Sequence, residues 1–126
     1  MSLDWDQFTA FFQRYSLLHI IGSAKLASMN IQEMEYNLEE ASILLTMMSN
    51  PKRLSILCKL LDGERNVMDL SEAVNLSQSA LSQHLAKLRG SKLVATRRDA
   101  QTIYYSLSSD KVTAILTVLY ELYCSN

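Results

Sequence analysis

Two short amphipathic segments divided by a three-residue turn constrain this chain more than any other feature. Val67 to Val74 reads Val-Met-Asp-Leu-Ser-Glu-Ala-Val, Asn75-Leu76-Ser77 forms a tight connection, and Ser77 or Gln78 opens a second helix running to about Arg89. In that second helix Ala80, Leu81, Leu85 and Leu88 recur at helical spacing and supply an apolar stripe. The other face carries Gln78, Ser79, Ser82, Gln83, Lys87 and Arg89. Two short helices joined by so tight a turn, the second basic and amide-rich, form a helix-turn-helix.

The flanks agree with that reading. Gly90 to Lys92 stops the second helix. Leu93 to Arg98 and Thr102 to Leu107 then pattern as paired strands around Asp99-Ala100-Gln101, with Ile103, Tyr105 and Leu107 alternating against Thr102, Tyr104 and Ser106. A hairpin placed directly after a recognition helix is a wing. Upstream, Leu38, Ala41, Leu44, Leu45 and Met48 give one helix from about Glu33 to Met48. Asn50 caps the next helix, Pro51 to Leu61, with Pro51 at its first position. A last helix from about Ser109 offers Val112, Ile115, Leu116, Leu119 and Leu122 on one face and ends near Tyr123-Cys124. The expected fold is mainly α with a small β-hairpin wing, a winged helix-turn-helix that assembles as a dimer. Residues 29–126 form its single domain. Residues 1–28 are an extension, with Trp5, Phe8, Phe11, Phe12 and Tyr15 at roughly helical spacing; it reads either as a detachable helix or as sequence upstream of a natural start at Met29.

A formal net charge of -1 and a pI near 6.1 look wrong for a protein that meets phosphates, but the average hides the distribution. From Ala73 through Arg98 there is no acidic residue, while Lys87, Arg89, Lys92, Arg97 and Arg98 are basic; Met29 to Glu40 carries four glutamates and no Lys or Arg. A phosphate backbone responds to the local patch, not to the whole-chain sum. Two cysteines exclude a secreted disulfide framework, and neither belongs to a CxxC pair. No apolar run approaches the ~18 residues of a membrane span, and the start is acidic where a secretory leader is basic. The cytoplasm, on the nucleoid, is the expected location, with duplex DNA and a second copy of the chain as partners.

The base-reading face is expected to be Gln78, Ser79, Ser82, Gln83 and His84, since Gln pairs with adenine edges and Ser with several bases. The bland alternative is a solvated helix face, and for His84 a cap or packing role against the neighbouring helix. Lys87, Arg97, Arg98 and Gln101 are expected at phosphates or an adjacent minor groove. The alternative for the two arginines is a charged strand edge that resists aggregation. Strand alternation aims Arg97 and Arg98 at opposite faces.

The segment from Met47 to Cys124 resembles the ArsR/SmtB family of dimeric winged-helix regulators. The resemblance is carried by Asn50-Pro51-Lys52-Arg53-Leu54, by Leu76-Ser77-Gln78-Ser79-Ala80-Leu81-Ser82-Gln83-His84-Leu85, and by Thr96-Arg97-Arg98-Asp99-Ala100-Gln101-Thr102-Ile103-Tyr104-Tyr105. Ile56-Leu57-Cys58 and Leu122-Tyr123-Cys124 point to the branch that contains HlyU, BigR and SqrR, and Met29 to Glu35 extends the likeness upstream; residues 1–28 have no counterpart in it. The resemblance implies a sequence-specific regulator. In the sulfide-sensing members two thiols join in a disulfide or polysulfide bridge and DNA affinity falls, which would assign Cys58 and Cys124 to redox sensing. On composition alone each cysteine reads as a small buried apolar residue. The same branch includes an activator that displaces a nucleoid silencer, so thiol sensing and silencer displacement both stand as implied modes. Metal response is poorly matched: no cysteine lies in the first helix of the helix-turn-helix, and the last helix has Asp110 and Glu121 but no His. No cofactor and no enzymatic role are expected, since Cys58 and His84 lack an orienting acid and no glycine-rich phosphate loop exists.

Overall fold

The computed structural model describes residues 28–124, so the expected helix within residues 1–28 lies almost wholly outside the described residues. These fall into two compact units, residues 37–116 and a smaller one holding 28–36 with 117–124. Among the described residues six helices and three strands run in the order α1 Ile31–Tyr36, α2 Leu38–Met48, α3 Pro51–Leu60, β1 Arg65–Asn66, α4 Val67–Val74, α5 Gln78–Gly90, β2 Val94–Asp99, β3 Thr102–Leu107 and α6 Asp110–Tyr123.

Local chemistry explains most of the boundaries. The Asn50 side chain accepts from the backbone N–H groups of Lys52 and Arg53, at 2.9 and 3.1 Å, and Pro51 follows where no N–H is needed. Asn66 caps α4 by accepting from Asp69 N–H at 2.8 Å, and Ser77 caps α5 by accepting from Ala80 N–H at 3.1 Å. The turn between α4 and α5 is a Schellman motif. Asn75 sits at φ 53, its N–H bonds to Glu72 C=O, and Leu76 N–H reaches Ser71 C=O. Asn tolerates this left-handed position better than most side chains. The end of α5 repeats the motif with Lys92 at φ 62, Lys92 N–H on Arg89 C=O and Leu93 N–H on Leu88 C=O. The helix therefore ends at Gly90, within the expected stop over Gly90 to Lys92, and the left-handed residue that closes it is Lys92 rather than the glycine.

Two expectations are corrected. The single helix from Glu33 to Met48 is two, because Asn37 at φ -103 and ψ 7 interrupts the ladder between α1 and α2. Asn competes for backbone hydrogen bonds with its own side chain, which makes it a weak helix former. The wing is also more than a hairpin. β1 adds to the free edge of β3, giving a three-stranded antiparallel sheet in the order β1-β3-β2. β2 and β3 pair from Val94↔Leu107 to Asp99↔Thr102, so the hairpin turn is Ala100-Gln101 and Asp99 belongs to the strand.

The core of the larger unit gathers Ile56, Leu57 and Leu60 of α3, Leu70 and Val74 of α4, Leu81, Leu85 and Leu88 of α5, and Leu93 and Val94 at the root of the wing. Val112 and Leu116 of α6 are buried as well, as is Met48 of α2. Helix α3 packs on both α4 and α5, so the reading pair rests on it. The architecture is a winged helix-turn-helix.

Gly90 lies in the last turn of α5, and a Cβ built there meets nothing within 4 Å. Gly90→Ala is therefore expected to stabilise the fold by about 0.5–1 kcal/mol, through lower unfolded-chain entropy and higher helix propensity. A urea titration should show a higher midpoint at unchanged slope; a lower midpoint would contradict the open space at this position.

Candidate nucleic-acid interface

Helix α5 presents its polar face because its apolar one is committed. Leu81, Leu85 and Leu88 are buried, which leaves Gln78, Ser79, Ser82, Gln83, Lys87 and Arg89 exposed along the opposite side. No acidic side chain interrupts this face. Ala80, expected in the buried stripe, is half-buried.

His84 sits at the margin of the strip, half-buried. Desolvation first, then the positive fields of Arg53, Lys87 and Lys52, hold its imidazole below the usual histidine value. It is therefore mainly neutral at pH 7 and offers one donor and one acceptor nitrogen. The same fields show that the start of α3 brings two further cations near the reading helix. Of these, Arg53 is engaged: its Nε donates to Met47 C=O at 2.7 Å and its Nη2 to Thr46 C=O at 3.2 Å. It closes the C-terminus of α2, where a cation suits both the orphan carbonyls and the helix dipole. Lys52 is exposed beside it and was missed as a contact by the sequence reading. The run Pro51-Lys52-Arg53 was the available signal, but only the fold carries it to His84.

At the wing, Arg98 and Gln101 are exposed, with Gln101 in the hairpin turn. Arg97 and Arg98 take opposite faces of the sheet, as alternation requires, and they differ in engagement. Arg97 Nη2 lies 2.5 Å from Glu64 Oε1 and its Nε donates to Glu64 Oε2 at 3.2 Å. Its Nη1 is 4.0 Å from Asp99, and the guanidinium carbon stands 4.6 Å from the centre of the Tyr104 ring. The guanidinium hydrogen bond holds the Glu64 carboxyl below its ordinary value and Arg97 above its own. The strand-edge alternative is thus partly met by Arg97.

Cys58 and Cys124 are both exposed. This overturns the reading of Cys58 as a buried apolar residue: Ile56, Leu57 and Leu60 take the core side of α3 and Cys58 faces out. Cys124 follows the last turn of α6, with its N–H on Tyr120 C=O at 2.8 Å. Among the described residues no helix is long and apolar enough to cross a membrane.

A profile of the bacterial regulatory proteins of the arsR family matches residues 50–96. The chain is 56% identical over 100 residues to the transcriptional activator HlyU of Vibrio cholerae serotype O1, covering 79% of this chain and 93% of that protein. It is 59% identical over 85 residues to the nodulation protein NolR of Rhizobium meliloti, covering 68% of this chain and 70% of NolR. Among solved structures, the transcriptional repressor BigR from Xylella fastidiosa superposes with a TM-score of 0.73 at 36% identity, over 78% of this chain and all of that one.

Proposed function

Because the chain belongs to the ArsR family of bacterial transcriptional regulators, and is not an enzyme, we propose that it binds duplex DNA sequence-specifically as a homodimer. The observation that carries the reading is the exposed, acid-free amide and hydroxyl face of α5, backed by the buried Leu81, Leu85 and Leu88. Gln78, Ser79, Ser82, Gln83 and His84 read base edges in the major groove. Lys87, Lys52, Arg98 and Gln101 meet the backbone on either side of the reading helix.

Dimerisation draws support from what a single chain leaves uncovered. In α2 only Met48 is buried, while Leu38, Ile43 and Leu45 are about half exposed, at 51%, 50% and 56%. Tyr120 and Tyr123 of α6 are exposed as well. Apolar surface of this kind marks an interface more often than solvent. Two copies would place two reading helices on successive turns of one face of a duplex, about 34–36 Å apart.

The finer reading is that Cys58 and Cys124 form a redox or persulfide sensor. Its support is their exposure, which lets a small oxidant reach each sulfur, and their position in the stretches that resemble the HlyU and BigR branch.

The division of labour is tested by two variants. Gln83→Ala removes a base-edge contact; it should weaken binding to the preferred site by about 1–3 kcal/mol and relax its sequence preference. Arg98→Ala removes a phosphate contact and should weaken preferred and random duplexes alike. Site selection from a random library followed by titration reads both. Equal, site-restricted losses in the two variants would show that the assignment of reading and positioning roles is wrong.

A further inference from the structure

We propose that Arg97 is the positioning residue of the wing: it straps β2 across Tyr104 to Glu64 beyond the opposite edge of the sheet, and leaves phosphate contact at the hairpin to Arg98. The inference rests on the DNA-binding reading and refines which side chains serve it.

The sheet register makes the strap possible. Arg97 pairs with Tyr104, and Tyr104 pairs with Asn66, so these three residues form one row across β2, β3 and β1. Side chains in such a row share a face. Glu64 stands two residues before Asn66, which returns its carboxylate to that face. Arg97 therefore lies over the Tyr104 ring and reaches diagonally to Glu64, a residue 33 positions away in the chain. The Glu64 end is fixed in turn, because β1 leads without a break into α4 and Asn66 is both a strand residue and the cap of that helix. The strap thus fixes the angle of the wing against the helix-turn-helix.

Charge points the same way. The fork of Arg97 is committed to one carboxylate through two nitrogens, and its third nitrogen faces Asp99. One cation among two anions sums to -1, so this face of the wing gives an approaching phosphate no net attraction. Arg98, one residue on and aimed at the other face, is exposed, with no carboxylate in salt-bridge range among the described residues. A bidentate fork stacked on an aromatic ring is the better kind of exposed ion pair, and it is still worth little singly. The expected effects are accordingly modest and specific.

The test uses the whole chain with Glu64→Gln, Arg97→Gln, Arg97→Lys and the Glu64→Gln/Arg97→Gln double variant. In the DNA-free protein, amide exchange across residues 94–107 should quicken by about two- to fivefold in each single variant, and no further in the double. Arg97→Lys keeps the charge but loses the fork, and should exchange like Arg97→Gln. The second readout is the salt slope on a 30-base-pair duplex of arbitrary sequence. Arg97→Gln should leave it within a few tenths of the parent value, whereas Arg98→Gln should lower it by about one per protomer. The strap is overturned if exchange is unchanged in the single variants, if the double variant is additive, or if Arg97→Gln lowers the slope as Arg98→Gln does. Failure of the parent to bind the duplex would remove the DNA reading alone, since exchange judges the strap without DNA.

Discussion

Raising salt from about 50 to about 200 mM should weaken duplex binding by roughly a thousandfold, the largest change expected of this protein under mild conditions. The estimate follows from the cations the fold leaves available. Lys52, Lys87 and Arg98 are exposed, and none of them appears in an ion pair among the described residues. Two protomers would bring about six such charges to the backbone, and each neutralised phosphate contributes about -0.9 to the slope of log affinity against log salt. Counting Arg97 as a contact would add two more and steepen the slope to match, so an accurate slope also bears on the wing strap. The net charge of -1 does not oppose this, because charges beyond about 10 Å are screened at these salt concentrations. Fluorescence anisotropy of a labelled duplex at five or six salt concentrations measures the slope directly. A flat response would remove the DNA-binding reading. A steep response with a monomer by light scattering at the same concentrations would remove the dimer.

The sequence revealed most where boundaries are written in local chemistry. The helix over Val67–Val74 and the start of α5 at Gln78 follow from Asn66, Asn75 and Ser77, each of which answers for backbone groups within three residues of itself. Leu81, Leu85 and Leu88 announced the buried side of α5, and with it the exposed reading face. What stayed hidden was non-local or too short to carry a period. β1 has two residues, and no alternation can be read from two. Alternation placed Arg97 and Arg98 on opposite faces without saying which face held a partner, because Glu64 lies outside both strands. Lys52 was one of several lysines until the packing of α3 on α5 carried it toward His84. The break at Asn37 hid inside a continuous run of apolar spacing, which registers faces and is blind to one backbone angle. Even the exposure of Cys58 was beyond composition, since a cysteine among leucines is more often inside.

Treatment with a peroxide or an organic polysulfide should join Cys58 to Cys124 within one subunit and lower affinity for the preferred site by at least about a hundredfold. In the simplest form two thiols each give up a proton, one S–S bond forms, and two electrons pass to the oxidant. A direct bridge demands Cα atoms about 4.4–6.8 Å apart, a limit that inserted sulfur atoms relax. The thiolate is the reacting species, and exposure of both sulfurs removes the barrier of access. The effect on DNA follows from where the first sulfur sits. Cys58 rides on α3, and α3 packs on both helices of the reading pair, so a covalent pull on α3 is felt at α5. The other sulfur follows α6, whose exposed tyrosines belong to the proposed dimer surface. A link between them would change the separation of the two reading helices. Base contacts need both helices in register with successive major grooves, whereas phosphate attraction tolerates misplacement. Specific binding commonly exceeds non-specific binding by about 10³–10⁷, so most of that margin is exposed to the switch while affinity for random duplex changes little. Cys58→Ser and Cys124→Ser should each bind the preferred site when reduced and remain bound after treatment. Peptide mapping with intact-mass analysis identifies the link. Separate adducts, or a bridge between subunits, would defeat the proposed switch; a Cys58–Cys124 bridge that leaves affinity unchanged would establish the chemistry and remove its regulatory role.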